Sequence, residues 1–324
     1  MSRSTAFLVR RLLQALLTLL LATLVFHAAV SLLPGDPIRA LFGPRRPQPE
    51  VYAAIQAQYN FDDPWIVRYA KYMADVLRGD WGYSFPGKVI ANVEIGPPVV
   101  DVIAAALPIS AALFFGAFVF QAVVGLTAGL LAVLLRRPLS GGLVYLAALV
   151  IVSVPVIVLA YSLQALFGYQ LQWLPGAGIS QGWRSYLLPV LALAAASAAF
   201  LALVTRSELS EVLTERYIRA AQARAIPSRR VIGVHAFRVT LIPVIAFVAA
   251  NFGQVLTALV VVEGVFGIPG IGGALFTAIQ TRDPAMLTAL LTLATALVLA
   301  ANLLADLLAV IIDPRIRDTG LVPT

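Results

Sequence analysis

"ERYIRAAQARAIPSRRVIGVHAFR", residues 215–238, is a polar island in a chain that is 60% hydrophobic. It carries Arg216, Arg219, Arg224, Arg229, Arg230 and Arg238, few large apolar side chains and a proline near its centre. Glu215 to Arg224 has helical composition, because alanine is the strongest helix former and arginine is well tolerated. Tyr217, Ala220, Ala221 and Arg224 fall at helical spacing on one side. Pro227 then disfavours a helical Ile226 and interrupts the hydrogen-bond ladder, so a second helix can start near Ser228. The pattern predicts helix–break–helix, with small residues at the centre and arginines around them. Small residues let another backbone approach closely, and arginines suit acidic partners. A loop that only sets topology explains the charge. A docking surface also explains the tyrosine, the alanine pair and the break.

The sequence around this island is that of a membrane protein. Only 12% of its 324 residues are charged, against about 25% in soluble domains, and its mean hydropathy is +0.90. Apolar runs long enough to cross a bilayer cover residues 8–33, 102–135, 143–167, 187–204, 241–262 and 285–312. The expectation is an all-α polytopic membrane protein with six transmembrane helices. The run from Leu12 to Leu33 exceeds a signal-peptide core, so it reads as an uncleaved first span. The net charge of +7 fits basic residues flanking membrane spans better than a nucleic-acid surface. The absence of cysteine excludes disulfides and thiolate chemistry. His27 and His235 lie far apart in sequence, so no metal site is expected.

Arg3, Arg10 and Arg11 precede the first span, and Arg136 and Arg137 join the second to the third. Arg206 to Arg238 fill the gap between the fourth and fifth, and Arg315 and Arg317 follow the sixth. This asymmetry puts both termini and the 215–238 loop in the cytoplasm. The resulting organisation is a tail and first span at 1–33 and an extracytoplasmic segment at 34–101. A core of five spans follows at 102–312, containing the loop 205–240, and then a cytoplasmic tail at 313–324.

Within 34–101, "DDPWIVRYAKYMADVLRG" reads as a helix lying against the outer face of the membrane core. Asp63 can cap its start, Pro64 suits the first turn, and Gly79 can close its end. Ile66, Tyr69, Met73, Val76 and Leu77 form its apolar face. The sixth span opens in the same way, with Asp283 then Pro284. Gly125 and Gly129 are spaced for close helix packing, although glycine is also simply common in membrane helices. "GYSFPGKV", residues 82–89, nearly fits a phosphate loop. Val89 lacks the hydroxyl that would hold magnesium, Pro86 removes an amide, and no apolar strand precedes it.

No hydrolase or DNA-binding motif is present. The intramembrane ionisable residues are His27, Glu263 and Asp306. A structural role is preferred for both acids, because the sequence offers no set that completes a proton relay. Gln121, Asn251, Gln254, Glu263 and Asn302 are the candidates for a translocation path or gate. The alternative for the amides is plain interhelical bonding.

The island resembles the signature loop of ABC importer permeases, E-A-A-x-x-x-G followed by I-x-L-P, in the form found in dipeptide and oligopeptide permeases. Arg219, Ala220 and Ala221 take the E-A-A positions, and His235, Phe237 and Arg238 take those of I-x-L-P. Ala225 stands where a glycine is expected. "LLPGDP", "FDDPWIVRYAKYMADVLRGDWGYSF", "SVPVIVLAYSL", "WLPGAG", "VVEGVFGIPGIGGALFTAIQTRDPAML" and "NLLADLLAVIIDPRIR" resemble the B-type subunit of that family, in order.

The resemblance implies a type I ABC importer permease of the MetI-like fold in a bacterial inner membrane. It implies a second homologous permease, two cytoplasmic ATPases that bind ATP and Mg, and an extracytoplasmic substrate-binding lipoprotein. The chain itself would bind no cofactor and no nucleic acid. Tyr217, Arg219, Ala220, Ala221, Arg224, Ala225, Pro227, His235 and Arg238 would form the ATPase-coupling loop. Segment 34–101, the loop near Trp173 to Tyr186 and a glycine-rich 264–284 loop would form the external docking face and gate. The implied cargo is peptide, with glutathione or nickel chelates as alternatives. A stand-alone secondary transporter would need inverted repeats and a midplane ion site, and neither is evident in the sequence.

Overall fold

The computed structural model describes residues 3–31, 38, 48–58, 62–84, 96–134, 138–224, 226–227 and 230–312. In chain order the helices are α1 (Arg3–Ser31), α2 (Pro49–Gln58), α3 (Trp65–Leu77), α4 (Val99–Leu134), α5 (Pro138–Ser153) and α6 (Val156–Leu163). They continue with α7 (Arg184–Val212), α8 (Arg216–Ala223), α9 (Phe237–Ala250), α10 (Phe252–Phe266), α11 (Ile271–Thr281) and α12 (Pro284–Ile312). Wider π-helical turns extend α6 through Gln164–Gln170 and lead into α9 through Val231–Ala236. Among the described residues the extended pairing is a single Tyr83–Pro98 bridge.

Among the described residues, four unbroken helices are long and apolar enough to cross a membrane, as are three bent pairs: α5–α6, the two halves of Val231–Ala250, and α10–α11. The six predicted spans fall on α1, α4, α5–α6, α7, α9–α10 and α12. Two of them are not straight. The third bends by 103° between Ser153 and Val156, where Pro155 removes a ladder donor and pushes Val154 out of the helical region. The fifth bends by 40° between Leu241 and Pro243, and Asn251 is the residue between α9 and α10. The 264–284 stretch, expected as a glycine-rich loop, is largely helix. Left-handed Gly267 ends α10, and α11 follows because Ile271, Leu275 and Ala278 bury one face at helical spacing.

The chain forms two compact units. One comprises residues 1–9, 111–268 and 300–324. Its seam is a buried stripe on α4 made by Ala117, Gln121, Gly125 and Gly129. Gly125 faces Leu201 and the Ala198 carbonyl of α7, and Gly129 faces Thr205 and the Ala202 carbonyl. The two glycines are therefore places where α4 and α7 approach closely. Phe114, Phe118 and Phe252 cluster beside this seam. The Arg206 guanidinium stands 4.7 Å from the Tyr145 ring centre. Gln164 donates to the carbonyls of Gly176 and Val265 at 2.8 and 2.9 Å. The Gly178 amide bonds the Phe266 carbonyl at 2.9 Å, which pins the 171–183 loop to the end of α10.

The second unit comprises residues 10–110 and 269–299. Here α3 is fastened to two spans. Tyr69 Oη donates to the Leu20 carbonyl at 2.9 Å and lies 3.0 Å from Thr23 Oγ1. Tyr72 Oη donates to Thr292 Oγ1 at 3.1 Å. The His27 ring stacks on Tyr72 at 6.0 Å. Ser110 Oγ accepts the Ile271 amide at 2.8 Å.

The two Asp–Pro pairs behave differently. Asp283, 2% exposed, accepts the Met286 amide at 2.9 Å and so caps α12. Its other oxygen takes the Ser84 hydroxyl at 2.7 Å. Asp63 makes no such cap, since α3 has no side-chain cap. Lys71 draws the Asp63 carboxylate into an ion pair at 2.6 Å instead. Gly79 closes α3 with φ +87°, as its position predicts.

Candidate functional site

The 215–238 loop begins three residues after α7 ends. Leu213 continues the last turn of α7 by bonding the Leu209 carbonyl, and the Glu215 carbonyl accepts the first amides of α8, from Ile218 and Arg219. A helix of eight residues is too short to hold itself in water, so its stability comes from packing. Ile218 is fully buried against Leu209, Val212, Val231 and Ala236, with Leu130, Val133, Ala221 and Ile226 packed around that cluster. The bed of α8 is thus built from the C-terminal ends of α4 and α7 and from the turn that leads into α9.

The opposite side of α8 is open. Arg216, Tyr217, Arg219, Ala220, Ala223 and Arg224 are exposed, Tyr217 by 45%. The result is a shallow floor of two alanines bordered by three arginines and a tyrosine. The expected grouping of Tyr217, Ala220, Ala221 and Arg224 is therefore split. Ala221 sits one residue beyond Ala220, about 100° around the helix, and turns inward toward the cluster. Arg216 and Ala223 join the open face, and sequence reasoning had not assigned them to it. The i, i+3 pair Ile218–Ala221 was the signal that could have oriented the helix.

Pro227 stands at the break. The Ile226 amide closes α8 by bonding the Ala221 carbonyl at 3.3 Å, and the Pro227 carbonyl accepts the amides of Arg230 and Val231 at 2.8 and 3.1 Å. A proline at the start of a helical turn loses no bond that the helix needed. Arg238 is exposed on the first turn of α9. Ala225, Ser228 and the His235 side chain lie outside the described residues, as do "LLPGDP" at 32–37, residues 85–89 of the phosphate-loop look-alike and the 313–324 tail.

The path candidates separate into two groups. Gln121 and Asn251 are 1% and 6% exposed, and Asn251 Nδ2 points at Gln121 Oε1 across 3.5 Å, a long hydrogen bond. Glu263 is fully buried in the last turn of α10. Gln254 and Asn302 are exposed. Gln254 shares its face of α10 with Thr257, so a polar strip runs along the outside of an apolar span.

Residues 124–318 match the family described as binding-protein-dependent transport system inner membrane component, and residues 4–113 match that family's N-terminal region. The chain belongs to this family. It is similar to the oligopeptide transport system permease protein OppB of Salmonella typhimurium, at 36% identity over 96% of this chain and 99% of that protein. OppB of Haemophilus influenzae is 35% identical over the same shares. The glutathione transport system permease protein GsiC of Salmonella paratyphi A is 32% identical over 96% of this chain and 98% of its own. The permease is thus a multi-pass membrane component of an ABC importer with the MetI-like fold. Both family matches lie on the helices described above, and the open face of α8 lies inside the first of them.

Proposed function

We propose that the permease forms half of the pathway of an ATP-driven peptide importer and that α8 is the joint through which it is driven. The observation that carries this reading is the two-sided build of α8. One side is locked into the helix ends by Ile218, and the other offers Ala220 and Ala223 between Arg216, Arg219 and Arg224. Such a face suits an acidic groove on a soluble partner. Nucleotide-driven movement of that partner shifts the balance between two states of the spans only through differential contacts with each state.

In this reading a second homologous permease completes the pore, and two cytoplasmic ATPases hold ATP and Mg. A substrate-binding protein delivers cargo from outside. The chain itself carries no ATPase site. Both termini and α8 face the cytoplasm of a bacterial inner membrane, in keeping with the arginine distribution. Peptide is the preferred cargo because several of the similar proteins are named oligopeptide permeases. Glutathione, itself a tripeptide, is the second reading because GsiC is also similar.

The chain has no cysteine, so a single Tyr217→Cys variant can be cross-linked without background. In membranes containing the whole complex, Tyr217→Cys should cross-link to an ATPase subunit with a yield that changes with nucleotide. Uptake of labelled oligopeptides and of glutathione by the same membranes separates the two cargoes. No cross-link in a complex that transports would overturn the coupling role of α8.

A further inference from the structure

Helix α3 sits deeper than a helix resting on the membrane surface. Its two tyrosines bond α1 at Leu20 and Thr23 and α12 at Thr292. Thr23 is eight residues from the Ser31 end of α1, and Thr292 is eight residues from the Pro284 start of α12. At about 1.5 Å per residue both contacts lie roughly 12 Å down their helices. A tyrosine side chain is shorter than that, so the backbone of α3 itself lies below both helix ends. His27, one turn from the end of α1, packs on both tyrosine rings and keeps α3 at this level. Among the described residues the apolar span of α1 runs over Val9–Ser31, 23 residues, at least as long as a hydrocarbon core of about 30 Å requires. The contacts therefore fall within the outer part of that core.

The side chains of α3 sort into three faces that fit this depth. Tyr69, Tyr72 and Val76 are half-buried along the seam with α1 and α12. Ile66, Ala70, Met73 and Leu77, at i, i+4, i+7 and i+11, form an adjacent apolar stripe in which Ile66, Ala70 and Leu77 are exposed and Met73 is half-buried. Ile66 is 49% exposed and Leu77 85%. Arg68, Lys71 and Asp75, at i, i+3 and i+7, form the other edge, where Lys71 pairs with Asp63 and Asp75 with Arg78. Trp65 stands exposed at the first turn, a residue type favoured at the water–lipid boundary. A helix with a charged edge, an apolar stripe and a tryptophan at its end has the make-up of one lying in the interface plane.

We infer that α3 is sunk into the membrane, parallel to its plane, in the leaflet on the side of the 34–101 segment. The apolar stripe Ile66–Ala70–Met73–Leu77 meets lipid acyl chains, and Arg68, Lys71 and Asp75 run along the headgroups. The stripe is then withheld from any soluble docking protein. The inference rests on the membrane-spanning fold, and only the choice of leaflet rests on the orientation proposed above.

The cysteine-free chain allows spin labels at Ile66→Cys, Ala70→Cys, Leu77→Cys and Lys71→Cys, all exposed positions that leave the packing intact. In the whole complex reconstituted in phosphatidylcholine–phosphatidylglycerol vesicles, collision rates with oxygen and with a water-soluble nickel chelate report depth. The stripe labels should be mobile and favour oxygen several-fold more than the Lys71 label, and brominated acyl chains should quench a fluorophore at Leu77. Stripe labels open to the nickel chelate would overturn the inference. So would labels immobile and shielded from both reagents, because they would mean that protein covers the stripe. An impermeant thiol reagent applied from each side to Lys71→Cys tests the leaflet separately. Labelling from the cytoplasmic side would overturn the orientation while leaving the depth result intact.

Discussion

Gly129 of α4 stands so close to Thr205 of α7 that a methyl group on it would lie 2.6 Å from the threonine Cβ and 2.7 Å from the Ala202 carbonyl oxygen. Backbone atoms cannot yield cheaply there. Gly125 meets the same helix one turn earlier, where an added methyl group would lie 2.8 Å from the Leu201 Cβ. Overpacking of this kind costs about 1–3 kcal/mol. Gly129→Ala and Gly125→Ala should each lower the unfolding temperature of the detergent-solubilised protein. Gly142→Ala, where among the described residues nothing lies within 4 Å, should leave it unchanged or slightly raised, since alanine is the better helix former. Equal effects at all three positions would remove the seam as the explanation.

The two sides of α8 should fail in different ways. Ala220→Trp places bulk on the open face, so under the proposed coupling role the protein should insert and fold normally, lose the proposed ATPase partner on purification and stop transporting. Ile218→Ala empties a fully buried site and should cost about 2–5 kcal/mol, seen as lower yield and earlier unfolding. Ala221→Trp is the less informative variant, since Ala221 faces the cluster under the helix and would disturb folding and docking together.

Gln121 and Asn251 join α4 to the break between α9 and α10 by a bond of 3.5 Å. Interhelical polar bonds in membranes average about 0.6 kcal/mol and reach at most about 1.7. A double-mutant cycle with Gln121→Leu and Asn251→Leu should give a coupling energy within that range. A coupling near zero, with transport lost in both single variants, would instead favour contact with cargo over contact with each other.

Asp283→Ala removes the cap of α12 and the Ser84 bond together. Loss of a cap costs about 0.5–2 kcal/mol, so the variant should unfold measurably earlier. Asp63→Ala removes a solvent-accessible ion pair with Lys71 and a charge near Arg68, and an accessible pair of this kind contributes about 0–1 kcal/mol. Thermal unfolding of the two variants side by side checks the contrast.

The spans, the helix at 65–77 and the break at Pro227 were legible because each is written locally, in apolar length, in periodicity or in a missing amide. The two Asp–Pro pairs mark the limit of local reading. Both spell a helix start, yet only Asp283 caps. The preceding Arg282 is left-handed, with φ 55°, at the end of α11, and the chain turns there into the start of α12. Asp63 has Lys71 within reach and is drawn away. The bend at Pro155 was written in a single proline that the hydropathy of the run outweighed. Which side of α8 faces inward was not legible, because its bed comes from Leu130, Val133, Leu209 and Val231, residues spread over a hundred positions that no sequence window brings together. Gln121 and Gln254 looked alike as intramembrane amides, and burial separates them into a packing contact and an open face.

The bed beneath α8 also limits how interchangeable this element can be. In the proposed coupling role its outer residues answer to a partner, while its inner residues answer to this chain's own helix ends, so the segment is not a cassette. A graft of residues 216–223 into a different permease would bring the arginines but not the socket for Ile218. To travel as a working part, it must take Leu209, Val212 and Val231 with it.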